Sequence, residues 1–61
     1  MELTFEQKKT LIIEWCSQLA QSQGFYGRLL RDFYEDEEYL NNVVEAFDGR
    51  TMLDFVLFIE S

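Results

Sequence analysis

Thr4 is followed three residues later by Gln7, a pairing that resembles a capping box, and apolar residues then recur at Phe5, Ile12, Trp15, Cys16 and Leu19. Spacings of three, four and seven place them on one helical face and predict a first helix over Phe5–Gln21. Ser22-Gln23-Gly24 breaks it, with Gly24 suited to a left-handed residue at the helix end. Phe25, Leu29, Leu30, Phe33 and Tyr34 continue the period over a short second helix, Phe25–Tyr34, with Arg28 and Arg31 on its opposite face. Gly27 inside that helix costs about 1 kcal/mol relative to Ala, which suggests that a backbone or ring approaches it closely. Asp36 is placed to cap a third helix, where Glu37 and Glu38 complement the helix dipole. Leu40, Val43, Val44 and Phe47 form its stripe, and Gly49 ends it.

Thr51 and Asp54 form another cap-like pair, opening the segment Met52-Leu53-Asp54-Phe55-Val56-Leu57-Phe58-Ile59. Such an apolar run suits a buried strand as well as a helix, and periodicity alone does not decide. A lone strand would leave its backbone groups unpaired, so a helix is expected, either central or at an interface. The fold expected is all-α, a small bundle of three to four short helices, in one domain over 1–61. Its core is expected at Trp15, Leu19, Leu30, Phe33, Leu40, Val44, Phe47, Phe55 and Phe58.

A chain of 61 residues buries only about 60% of the surface it exposes when unfolded. Chains this short commonly add a disulfide, a metal or a second copy of themselves. One Cys and no His leave neither an intramolecular bridge nor a zinc site, so self-association into a homo-oligomer is the remaining route. The N-terminal residues are too polar for a signal peptide, and no stretch approaches the ~20 apolar residues that span a bilayer. With a single thiol, this predicts a cytoplasmic protein with no membrane partner.

Charge is distributed unevenly. Residues 1–31 are nearly balanced, whereas Arg50 is the one cation from Asp32 onward, against nine carboxylates. The net charge of −7 opposes direct binding to nucleic acid unless Lys8, Lys9, Arg28 and Arg31 form a segregated basic face. Basic protein surfaces are the natural complement.

Catalytic and metal chemistries find little support. Cys16 lacks a base to activate it and sits on the apolar stripe, so a buried thiol is expected. Asp32, Glu35, Asp36, Glu37 and Glu38 crowd five carboxylates into a short stretch, yet lack the alternation and glycine of a calcium loop. As adjacent exposed acids they also share one environment, unlike a catalytic carboxylate pair. No catalytic residue, metal ligand or cofactor is assigned, and the chain is not read as an enzyme.

Two glycines bracket Phe25 and Tyr26, with Arg28 following, and this reads as a tight helix connection in which Phe25 plugs the core and Tyr26 packs on a neighbouring backbone. Tyr and Arg are also the residue types that dominate interface hot spots. Residues 22–32 and 53–60 resemble short uncharacterised proteins of bacteria, phages and mobile elements, a resemblance that implies no activity. The functional expectation is an interaction or regulatory module for a basic protein, with Tyr26, Arg28, Asp32, Glu35, Asp36, Glu37, Glu38 and Tyr39 as the contact set and Tyr34 supplying further aromatic contact. Two alternatives stand beside it. One is a nucleic-acid mimic aligning Asp32, Glu35, Glu38, Glu45 and Asp48; the other is a structural homo-oligomer.

Overall fold

The structure, a computed structural model, describes residues 2–61. Four helices follow in order: α1 (Phe5–Ala20), α2 (Gly24–Glu35), α3 (Glu37–Ala46) and α4 (Met52–Glu60), and the described residues contain no strand. The architecture is an all-α bundle measuring 32 × 23 × 19 Å.

Side chains set three of the four helix starts. Thr4 Oγ1 accepts from the Gln7 backbone N–H at 3.1 Å and Gln7 Oε1 accepts from the Thr4 N–H at 2.9 Å, a two-way capping box. Thr51 and Asp54 repeat the device at α4, and Asp54 Oδ2 also accepts from the Arg50 N–H at 3.0 Å. Between α2 and α3 a single residue does both jobs. The Asp36 N–H donates to Asp32 O at 2.9 Å, ending α2, while its Oδ1 accepts from the Tyr39 N–H at 3.1 Å, starting α3.

The glycines act differently from the sequence expectation. No described residue has a positive φ, so Gly24 is not a left-handed helix end; α1 closes through the Gln23 N–H to Leu19 O at 2.8 Å, and Gly24 opens α2. The close approach anticipated at Gly27 is found at Gly49 instead. A Cβ at Gly49 would lie 2.6 Å from the Phe47 ring, whereas one at Gly27 would meet Ala20 Cβ at an ordinary 3.6 Å.

The core is aromatic and centred on Phe55. Its ring stands 5.9 Å from Trp15, 5.8 Å from Phe47 and 6.4 Å from Tyr26, and Phe47 meets Trp15 edge-on at 5.9 Å. Ile12, Cys16, Leu29, Phe33, Leu40 and Val44 complete the buried set. Each such large apolar side chain contributes about 1.5–3 kcal/mol on burial, far more than an exposed ion pair at about 0–1 kcal/mol. Lys8 Nζ also donates to Phe47 O at 2.9 Å, tying the start of α1 to the loop after α3.

Three residues expected in the core, Leu19, Leu30 and Phe58, are only partly buried against it. The larger correction concerns the start of α2: Tyr26 is 1% exposed and Phe25 is 56% exposed, the reverse of the expected arrangement. Packing Tyr26 on Phe55, with Leu29 and Phe33 buried on the same face of α2, leaves Phe25 at the margin. Helix α4 reaches the core through Phe55 while its backbone stays at the edge of the bundle. Only α1 among the other helices comes into close backbone approach with it, and Leu53 and Leu57 face outward.

Candidate functional site

The acidic residues gather at the α2–α3 corner because one residue separates the two helices. Asp32 and Glu35 occupy the last turns of α2, and Glu37 and Glu38 the first turn of α3, where the positive end of the helix dipole favours them. All four are exposed, as is Asp36. Asp36 differs in being committed to its cap.

Part of this charge is neutralised within the molecule. Lys9 Nζ lies 3.7 Å from Glu37 Oε1, and Arg31 Nε lies 3.6 Å from Glu35 Oε2. With Lys8 donating to Phe47 O, three of the four cations of residues 1–31 have partners within the fold. Arg28 is exposed one turn before Asp32 and makes no ion pair among the described residues.

Aromatic residues border the corner. Tyr34 is 69% exposed. Tyr39 leans on Phe33 with ring centroids 5.3 Å apart and keeps part of its surface in solvent. Between the helices runs a shallow recess floored by Ile13, Phe33 and Leu40 and rimmed by Lys9, Tyr34 and Glu37. Sequence reasoning placed Glu37 and Tyr34 near this site but not the Lys9–Ile13 wall, which comes from α1 across the bundle and leaves no local signal.

Tyr26 does not belong to the surface set. Its ring packs on Phe25 at 5.2 Å and on Phe55, and its hydroxyl has no hydrogen-bond partner among the described residues. Burial first, then the charges of Glu60 and Cys16, raise its pKa. Cys16 is buried, and desolvation pushes its thiol up to about 12, which disfavours the thiolate a nucleophile requires. Asp54 is shifted the other way, held low by the Arg50 backbone N–H, the Thr51 hydroxyl and the Thr51 backbone N–H. Among the described residues no cluster of three or more carboxylates or thiols is arranged to hold a metal ion. No helix among the described residues is long and apolar enough to cross a membrane. Comparison of the chain with protein-family models, with curated proteins and with solved structures finds no match.

Proposed function

We propose that the chain is a small acidic binding module, without catalytic chemistry of its own, whose α2–α3 corner meets a basic protein surface. The observation that carries this reading is the exposure of Tyr34 beside the carboxylates of Asp32, Glu35, Glu37 and Glu38. Exposed charge accelerates encounter, and aromatic contact governs how long the complex lasts. The recess over Ile13, Phe33 and Leu40 suits the aliphatic stem of a Lys or Arg whose charged head reaches Glu37. Displacing Arg31 from Glu35 opposes this little, since an exposed pair is worth about 0–1 kcal/mol.

The test replaces Glu35, Glu37 and Glu38 with Gln and measures association rate against ionic strength, using the partner retained from the source cell by the immobilised chain. Association should slow and its salt dependence flatten, while the melting curve stays close to that of the parent. An unchanged slope sinks the reading. The mimic alternative draws on one further feature: Glu38, Asn42 and Glu45 are all exposed and share one face of α3. That reading requires nucleic acid to compete with the chain for the same partner.

A further inference from the structure

Leu53 and Leu57, 66% and 59% exposed, lie one helical turn apart on the outer face of α4. They are the most exposed aliphatic side chains among the large hydrophobics left in solvent, and no other element of the fold covers them. Along one edge, Leu57 borders an open depression formed with Ala46, Phe47, Gly49 and Phe58 together with the carboxylates Asp48 and Asp54. Charge marks the two ends of the helix. Arg50 precedes the Thr51 cap and makes no ion pair among the described residues, while Glu60 ends α4 and is also exposed and unpaired.

We propose that this face binds a second copy of the chain, the two α4 helices packing antiparallel about a two-fold axis at the level of Phe55. An antiparallel pairing centred on Phe55 sets Leu53 of each copy on Leu57 of the other. The same register brings Arg50 of each copy to Glu60 of the other, because both pairs are placed symmetrically about residue 55. At about 1.5 Å per residue, the leucines stand roughly 6 Å apart along α4, and the charged residues lie beyond them at its two ends. One register therefore satisfies both the apolar centre and the ionic ends, and it is the self-complementary arrangement that two-fold symmetry demands. Antiparallel helices also place the positive end of each dipole beside the negative end of the other.

The contact leaves the acidic corner free. Tyr26 lies near the start of α2 and close to α4, whereas Asp36 is about 15 Å farther along the helix axis. A dimer would thus display two corners and bind a basic partner that offers two sites with added avidity. Two helical turns cover far less than the about 1,200–2,000 Å² of a stable interface, so the dissociation constant should be on the order of 100 µM.

Sedimentation equilibrium from about 10 µM to about 1 mM spans that range, at about 0.15 M salt to screen repulsion between two anionic copies. The expected result is a reversible monomer–dimer equilibrium that Leu53→Glu and Leu57→Glu each weaken at least about tenfold. Both positions are exposed, and circular dichroism should show an intact helical fold in each variant. Arg50→Glu should weaken the dimer severalfold, and Arg50→Glu with Glu60→Arg in one chain should restore it, a rescue available only in the antiparallel register. A monomer throughout the range overturns the proposal and leaves the face to a different partner. So does a dimer indifferent to Leu53→Glu, and so does a failure of the charge-reversed pair to recover.

Discussion

Gly49 and Gly27 carry the same side chain in opposite surroundings. A methyl at Gly49 would fall 2.5 Å from Asp54 Cβ and 2.6 Å from the Phe47 ring, and neither gives way cheaply, since one caps α4 and the other is core. Gly49→Ala should destabilise by about 1–3 kcal/mol. Gly27→Ala should stabilise by up to about 1 kcal/mol, because its methyl meets only an ordinary contact and alanine lowers the backbone entropy lost in a helix. Urea unfolding of the two variants checks both signs. Cys16 and Tyr26 govern the alkaline limit. Folding raises both from ordinary values of 9.0 and 10.0, so the stability their neutral forms contribute is complete below those values and lost as pH rises above them, for Cys16 up to about 12. Denaturation midpoints should fall from about pH 9 upward, and Cys16→Ala should flatten the first part of that decline. Asp54 has the opposite sign: its depressed value adds stability above 3.8 that is lost as pH falls through that region.

Helices α3 and α4, of ten and nine residues, are too short to persist alone, since isolated helices below about 12–15 residues are marginal in water. With nine residues, α4 depends on the Thr51 cap and on Phe55 seated in the core. Thr51→Ala removes the acceptor for the Asp54 N–H and should cost about 1 kcal/mol, with a loss of helical signal visible by circular dichroism. The Arg31–Glu35 pair on α2 is a weaker contributor. As an exposed i,i+4 pair it is worth about 0.3–0.5 kcal/mol, so neutralising Glu35 probes binding without unsettling the element.

For the molecule as a whole, stability converges on one ring. Phe55 is fully buried against Trp15, Tyr26 and Phe47, and so links α4 to α1, to the start of α2 and to the loop after α3. Phe55→Ala should cost about 3–5 kcal/mol, comparable to the about 3–5 kcal/mol that a single core of this size supplies. Thermal melting should therefore find that variant largely unfolded at room temperature. Retention of a cooperative melt within a few degrees of the parent would mean that α4 is peripheral to stability. Phe58, partly buried and 5.5 Å from Phe47, should give a smaller loss on the same change.

The caps at Thr4, Asp36 and Thr51 were legible because capping joins residues three apart and involves nothing distant. The exposure of the Asp32–Glu38 cluster was legible for a similar reason, since carboxylates with no buried partner stay in water wherever the helices run. Helix phase is another matter. Phe25 and Tyr26 are both large and aromatic, and the sequence alone did not determine which would turn inward; the position of Phe55, far along the chain, decided for Tyr26. The same holds for α4, whose residues are apolar on nearly every side. A helix with a surplus of apolar faces has no phase of its own, so tertiary packing alone seated Phe55 in the core and left Leu53 and Leu57 in solvent.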